Sequence, residues 1–483
     1  MHIRFARIGI LSMLLAALLA FTACSGAQQL NNQGQNNVSI SVWTYYNGDQ
    51  LAAFQNTVAQ FNETVGKDEG IVVESYNLGS VNDLQDAVID SANGKVGANP
   101  VPNMFAAYAD TAYAIDQMGL LADLGPYLNQ DERDLFIDGY LEEGTLGGED
   151  SIKIFPVAKS VEVMVLNETD FEPFAQATNT SYDELATFEG IAKVAERYYE
   201  WTDDQTPEEG DGKAFFGTDA MANYFYIGAK QLGVDIAKVE NGRVKLDFDK
   251  RAVRKLWDNY YVPFVKGYYD ASGRYRSDDI KTGNIICLLG SSSGATYFPR
   301  EVTNEAGETH EIGMRVLPAP QFEGGEAWAV QQGAGMVVVN TSDEEVQACI
   351  TFLEWFASPE QNLRFSVESG YLPVMKSANN IDEVHKVEGE LDERMNQVLE
   401  VGFATVEDNK LYTPQAFENG AEFRQVLETS LIDRATADAA EVRKQVQQGV
   451  ALNQAAAPFT SDDYFDEWYE ETLSTLQSLT SSS

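Results

Sequence analysis

Between Val38 and Leu124 the chain alternates three short strand-like runs with three stretches of helical period, and no other feature constrains the fold as much. Val38 to Tyr46 alternates and is rich in β-branched and aromatic residues, so it reads as a strand. Asp49 is placed to cap a helix that carries Leu51, Phe54, Val58 and Phe61 on one face. Ile71 to Leu78 reads as a second strand. Ser80, with Asp83 three residues on, opens a helix that turns Val81, Leu84 and Val88 inward. Met104 to Tyr108 is a third short strand, and Thr111 to Met118 is helical up to Gly119. This order predicts an α/β fold: a parallel sheet with helices on its faces.

Further on, Ile154 to Leu166 is one extended segment, with a crossing between lobes near its start. Helical patterns cover 182–198, 220–232 and 250–265, and Asn284 to Leu289 reads as a buried strand. Ala334 to Val339 is another strand, followed by an amphipathic helix from Asp343 to Ala357 and long helical patterns from Val384 onward. The C-terminal SLTSSS reads as frayed. There is no internal repeat. The chain is too long for one ordinary domain, so two lobes are expected. Its 44% hydrophobic and 11% aromatic content suffices for a real core in each.

The N-terminus has the three parts of a secretory signal. Arg4 and Arg7 supply positive charge, Ile8 to Phe21 an apolar run, and Thr22-Ala23 small residues at a cleavage position. Phe21-Thr22-Ala23-Cys24 resembles a bacterial lipobox, with Phe21 where leucine is usual. That resemblance implies removal of residues 1–23 as a signal peptide and lipid attachment at Cys24. Two or more acyl chains, palmitate among them, would anchor stably where one would not. The apolar run falls short of the ~20 residues that span a bilayer. Residues 24–37 are polar and form a flexible tether. The expected location is the extracytoplasmic face of the cell membrane, reached through the lipid alone.

The net charge of -42, from 75 acidic against 33 basic residues, excludes nucleic acid as a partner, because phosphate binding needs concentrated Lys and Arg. It also argues against docking on anionic lipid. Screening beyond ~8 Å means that this charge does not forbid an anion inside a cleft. After Cys24 only Cys287 and Cys349 remain; both read as buried thiols, and their spacing leaves a disulfide open. The mature chain keeps only His310 and His385, without HExxH or CxxC. No metal, cofactor or histidine-dependent triad is expected.

Three segments together resemble the extracellular solute-binding proteins that serve ABC importers, of the sugar and glycerol-phosphate type. They are PNMFAAYADTAYAIDQMGLLADL from Pro102, FPVAKSVEVMVLN from Phe155, and Gly333 to Val374 with TFLEWFASPEQNLRF and SGYLP. The resemblance implies a two-lobed periplasmic-binding-protein-like (type II) fold with a hinge and an interlobe ligand cleft. Lobe 1 would comprise 38–157 plus 330–373, and lobe 2 158–329 plus 374–478. It further implies a monomer that binds a small solute without catalysis and presents it to the transmembrane subunits of a permease.

Several residues are candidates for the cleft. Trp43, Tyr45 and Tyr46 end the first strand, and Tyr45 is the one best placed to stack on a sugar face. Tyr108 matches a ligand-contacting tyrosine of the glycerol-phosphate binders, with Ala109 where they carry an acid. Asp110 beside it reads either as a contact or as the N-cap of the helix from Thr111. Lys159 and Ser160 lie in the crossover, where the resemblance implies ligand contact. Ser292 and Ser293 lie in Gly290–Gly294, which resembles the family's Ser-Ser-Gly loop; hydroxyls and free N–H groups at such a start favour acceptor oxygens. Gly333 begins the return strand, and Tyr371 matches another cleft tyrosine. The arginine of glycerol-phosphate binders has no counterpart in TPQAFEN at Thr413–Asn419, and Arg424 is no obvious substitute. A phosphate without a bidentate arginine loses its strongest partner, which favours a neutral oligosaccharide or polyol. The competing readings are a secreted glycoside-acting enzyme, which needs two positioned carboxylates, and a surface sensor or adhesin on the same fold.

Overall fold

The computed structural model describes residues 37–480 apart from 147–149, 241–242 and 305; the leader, Cys24 and the tether up to Asn36 lie outside the described residues. The strands, in chain order, are β1 (Val38–Thr44), β2 (Ile71–Asn77), β3 (Met104–Ala107), β4 (Ser160–Asn167), β5 (Phe216–Thr218), β6 (Ala237–Glu240), β7 (Arg243–Leu246), β8 (Cys287–Ser291), β9 (Glu301–Thr303), β10 (Thr309–Glu311), β11 (Met314–Pro318), β12 (Trp328–Gln332), β13 (Gly335–Val338) and β14 (Lys410–Tyr412). They form two main sheets and two small hairpins.

The first sheet has the order β13-β3-β1-β2. β1 runs parallel to both β2 and β3, as the alternation predicts, with Val38 opposite Ile71 and Val42 opposite Met104. β13 joins antiparallel, Gly335 facing Ala107, because it returns from the far end of the chain rather than through a right-handed crossover. Aromatic rings fill the core on one face. Phe54 and Phe61 of the helix Gly48–Glu63 meet Phe356 and Phe352 of the helix Asp343–Ala357 at ring distances of 5.9 and 5.1 Å.

The second sheet is built on β4, whose eight residues are all buried. Its order is β14-β12-β4-β8-β5, with β11 beside the later half of β4. The period of two divides the strand between two packing layers. Val161, Val163 and Val165 face Leu399 and Phe403, while Met164 and Leu166 face an aromatic core with Trp257, Tyr261 and Trp468. Cys287 lies in that aromatic core and Cys349 in the core of the first sheet, and both are free thiols.

Local departures from the sequence reading have identifiable causes. Asn47, not Asp49, is the cap of the first helix, and its amide donates to the carbonyls of Tyr45 and Gly79 at 3.0 and 2.6 Å. That amide ties two loops together rather than satisfying the helix end. Ser80 and Asp83 do form a reciprocal capping box. The helix expected over 182–198 is interrupted: Thr187 caps a new helix, Phe188–Asp203, after a 3-10 turn at Tyr182–Ala186. The end of the chain is not frayed as far as Thr480; the helix Asp462–Thr480 carries it, and Asn419 donates to the Leu479 carbonyl at 2.8 Å.

The segment from Ile154 is extended only in pieces. Phe155 bridges to Met336 and Lys159 to Leu372 before β4 begins at Ser160. Here three chain segments pass between the two sheets side by side: Ala158–Ser160, Gln332–Gly335 and Tyr371–Leu372. Lys159 N–H donates to the Leu372 carbonyl at 3.1 Å, and Lys159 Nζ donates to the Gly333 carbonyl at 2.8 Å. Gly333 has φ +87°, and a Cβ there would lie 2.7 Å from the Ala158 carbonyl, so only glycine fits. The Lys159 ammonium is fully buried and forms an ion pair with Glu143, just past the helix Asp138–Glu142.

Three outcomes are expected in urea denaturation. Phe54→Ala should cost about 3–5 kcal/mol, because its cavity is walled by rings that cannot collapse inward. Ser80→Ala should cost about 1 kcal/mol, the usual value of an N-cap. Glu143→Gln should cost about 3–5 kcal/mol by leaving the Lys159 charge buried without its counterion, and the double replacement Glu143→Leu, Lys159→Met should recover most of that loss. A Glu143→Gln loss under 1 kcal/mol would show that the pair does not hold the crossing.

Candidate ligand-binding cleft

The carboxyl ends of β1, β3 and β8 point toward the junction of the two sheets, where open α/β sheets bind ligands. β1 runs into Tyr45 and Tyr46, β3 into Tyr108, and β8 into the 3-10 turn Ser292–Tyr297. Trp43 and Tyr46 are buried and Tyr45 is partly open; a period of two would put Trp43 and Tyr45 on one face, so the chain leaves that alternation as β1 ends at Thr44. Tyr108 is 37% exposed, and its ring lies 6.4 Å from that of Tyr45 at an interplanar angle of 26°.

From Tyr45 a chain of hydroxyls crosses to the second sheet. Tyr45 OH and Tyr371 OH lie 3.5 Å apart, and Tyr45 OH accepts from the Ala334 N–H at 3.3 Å. Tyr371 stacks on Phe365 and approaches Gly333, whose absent Cβ would lie 3.3 Å from the ring. Its neighbour Gly370 sits against the Ser293 backbone. Ser293 Oγ and Ser291 Oγ share a hydrogen bond of 2.9 Å, and Ser291 Oγ donates to Ser160 Oγ at 2.9 Å. Ser292 Oγ is fully buried and, among the described residues, has no hydrogen-bond partner. Tyr45, Tyr108, Ser160, Ser292, Ser293, Gly333 and Tyr371 thus gather at one place.

Two candidates sit differently. The Lys159 side chain is consumed by Glu143 and the Gly333 carbonyl, so its donors are turned into the crossing rather than toward a solute. Asp110 is not a helix cap. Tyr108 takes the cap position of the helix Ala109–Gln117, and Asp110 lies in its first turn, half-buried against Gly420 of the helix Gly420–Gln447.

The same junction holds charged residues that the sequence reading passed over. Glu162 is buried in β4, and its carboxylate accepts from Asn223 Nδ2 at 3.0 Å. Burial pushes it up to about 7, while the Asn223 amide and the Arg424 guanidinium pull the other way. Asn223 Oδ1 in turn accepts from Arg424 at 2.9 Å. Glu428, one turn beyond Arg424, accepts from the first N–H groups of the helix Met221–Gln231 at 3.2 and 2.8 Å. Asp219 follows β5 and is also raised by burial, against the pull of Arg276. A signal for Glu162 was present, since it is the one charged residue in SVEVMVLN. Arg424 had none, because its place depends on where the helix Gly420–Gln447 begins. Beside β12, a cavity of about 50 Å³ is lined by Glu162, Asn223, Gln231, Trp328 and Asn409. Among the described residues no group of three or more His, Cys, Asp or Glu is arranged to hold a metal ion.

Arg424 gives one of its five N–H groups to Asn223 and, among the described residues, forms no ion pair. Glu422 and Glu428 lie on its own helix, Glu162 in β4, and Asp110 on the helix that follows β3. Carboxylates in this number repel a dianion and accept from the hydroxyls of a neutral ligand.

Comparison with known proteins bears on the fold and the family. No curated protein sequence matches the chain. Solved structures match along most of it. A cyclic α-maltosyl-1,6-maltose-binding protein of Arthrobacter globiformis is 18% identical with TM-score 0.62, over 91% of this chain and 100% of that one. A protein of Mycobacterium tuberculosis in complex with glycerophosphocholine is 16% identical with TM-score 0.64, over 85% and 97%. An ABC substrate-binding protein of Listeria monocytogenes in complex with cycloalternan is 13% identical with TM-score 0.63, over 91% and 99%. At such identities the likeness is one of fold, the two-lobed α/β architecture. The sequence profile of the bacterial extracellular solute-binding proteins matches residues 56–389, more than half of the chain, and the chain belongs to that family.

Proposed function

We propose that this chain is the substrate-binding lipoprotein of an ABC importer and that its ligand is a neutral oligosaccharide or polyol. The observation that carries the ligand class is the wall of rings and hydroxyls from Tyr108 through Tyr45 and Tyr371 to Ser293, Ser291 and Ser160, set beside a carboxylate-rich edge. Tyrosine faces accept the apolar face of a sugar, and hydroxyls and carboxylates match its polar rim. Tyr45, Tyr108, Ser160, Ser292, Ser293, Gly333 and Tyr371 are the proposed contacts. Two of the structural neighbours above are described with oligosaccharides, which fits this class; the glycerophosphocholine complex keeps a phosphodiester among the ligands to be tested.

In this reading the two sheets belong to two lobes that close on the solute. Lobe 1 holds residues from 38 to about 157 and the segment 334–373; lobe 2 holds the remainder to 478. β12 runs to Gln332 within the second sheet, which supports taking the return crossing at Gly333 in this reading. A solute that contacts both lobes favours the closed form by its differential affinity. Binding is not followed by turnover. Export depends on residues 1–23, and the lipid on Cys24 holds a monomer at the outer face of the membrane. The polar tether then raises the effective concentration of the loaded form near the permease.

Melting of the protein against neutral oligosaccharides, polyols and phosphate esters tests the ligand class. A ligand at 100 times its dissociation constant should add about 2.7 kcal/mol of apparent stability. Tyr108→Ala and Ser293→Ala should each weaken the responding sugar at least tenfold. Hydrolysis of that sugar, or a response to phosphate esters alone, would overturn the proposal. For the anchor, Cys24→Ser should abolish labelling with a radioactive fatty acid and move the protein from the membrane to the medium or periplasm.

A further inference from the structure

β12 and β4 pair antiparallel, with Gln332 directly opposite Ser160 and Gln331 opposite Val161. Residues directly opposite share a face of the sheet, and neighbours along a strand take opposite faces. The pleat therefore separates the two glutamines. Gln331 lies on the side of Lys159, and its amide donates to Glu143 at 3.5 Å. Gln332 lies on the side of Ser160, whose hydroxyl ends the chain that runs from Ser293 through Ser291. The backbone beside Gln332 is fixed as well, since Gly333 has φ +87° and its carbonyl accepts from Lys159 Nζ at 2.8 Å. Gln332 and Ser160 both belong to the second sheet, so their juxtaposition does not depend on how the two sheets stand to one another.

The hydroxyl chain has a direction. Ser291 Oγ donates its one proton to Ser160 Oγ, so Ser293 is the donor of the bond that it shares with Ser291. Each hydroxyl passes its proton to the next, and Ser160 keeps a proton that no hydrogen bond among the described residues uses. Opposite it, Gln332 Oε1 is closed to solvent and, among the described residues, has no hydrogen-bond partner. A spare donor and a spare acceptor thus stand at one ladder position without bonding to each other. A buried amide oxygen left in that state is a cost carried in folding.

We propose that Gln332 is a further ligand-binding residue of the cleft and sets its specificity: a solute hydroxyl held between Ser160 and Gln332 accepts from the first and donates to the second. A hydroxyl does both at once. An ionised phosphate or carboxylate oxygen offers no proton to Gln332 Oε1, and an ammonium group offers no lone pair to Ser160. The pair therefore selects a hydroxyl over either kind of ion. The inference rests on the reading of this cleft as a polyol site proposed above and deepens it, by naming the group that rejects charged competitors. Water has the same two capacities as a hydroxyl, so the experiment must separate a residue that serves the solute from one that holds a structural water.

The test uses the full chain, melted alone and with maltotriose, mannotriose, xylotriose and glycerophosphocholine, followed by calorimetric titration of the probe that responds. Gln332→Leu alone should melt no lower than the wild type, because it removes an unsatisfied oxygen, and it should bind the responding probe about tenfold more weakly or worse. Gln332→Met repeats both readouts without the branch of leucine. One monodeoxy analogue of that probe should bind the wild type about tenfold more weakly than the parent sugar, yet bind Gln332→Leu as the parent does, because both changes break the same bond. Lower melting of both variants without any probe marks Gln332 as a residue that serves the fold, and overturns the inference whichever probe binds. Unchanged affinity for the responding probe overturns it as well. If glycerophosphocholine alone responds, the neutral-oligosaccharide class fails, and Gln332 is judged on the glycerol hydroxyls of that probe.

Discussion

The buried pair of Lys159 and Glu143 is the interaction on which the arrangement of the two sheets depends. A lysine ammonium without solvent is expensive, and it persists only where counterion and acceptors are fixed. Glu143 supplies the counterion from just past the helix Asp138–Glu142, and the Gly333 carbonyl supplies a further acceptor at 2.8 Å. The same residue exchanges backbone hydrogen bonds with Leu372. One side chain and its peptide group therefore bind all three passes of the chain between the sheets. A hydrophobic plug would fill the space, but it would not specify which carbonyl faces which segment. Directional bonds to Gly333 and Leu372 hold the three passes in one register, and the absence of a Cβ on Gly333 lets them come that close.

That fixed crossing decides what the cleft can offer. Tyr371 follows the strap that Lys159 holds, and so its hydroxyl meets Tyr45 from the first sheet while its neighbour Gly370 meets Ser293 from the second. The aromatic and hydroxyl groups are thereby preset, and the Tyr297 hydroxyl lies 3.5 Å from the Asn47 carbonyl. Charge follows the same division. The acidic exterior repels other acidic surfaces and keeps the chain soluble. Inside, Glu162, Asn223 and Arg424 form a short relay in which the guanidinium is already engaged.

Much of this was legible in the residues. The first three strands and their parallel order followed from alternation, and the Ser80–Asp83 box from a local spacing that tertiary context does not alter. The same period of two sets Tyr45 apart from Tyr46, but it puts Trp43 on the face of Tyr45, so the burial of Trp43 was not legible. The failures share one cause: each required knowing what lies across a gap. Asn47 displaced Asp49 because Gly79 offers a second acceptor from another loop. Lys159 resembled a ligand contact until Glu143, sixteen residues earlier, came to face it. Glu162 stood out as a lone charge in an apolar strand, yet its role required Asn223 beside it. Arg424 could not be placed at all, since its aim depends on the start of a helix whose cap makes no side-chain bond.

The preset hydroxyls also bear on where affinity arises. Tyr45 is bonded to Tyr371 and Ala334, and Ser293 to Ser291. A sugar hydroxyl that replaces one of these partners exchanges one hydrogen bond for another, and the net gain is small. Ser292 is different, because its buried oxygen has no partner to give up, and a ligand group that reaches it recovers a desolvation cost already incurred in folding. Stacking on the exposed face of Tyr108 likewise displaces only water.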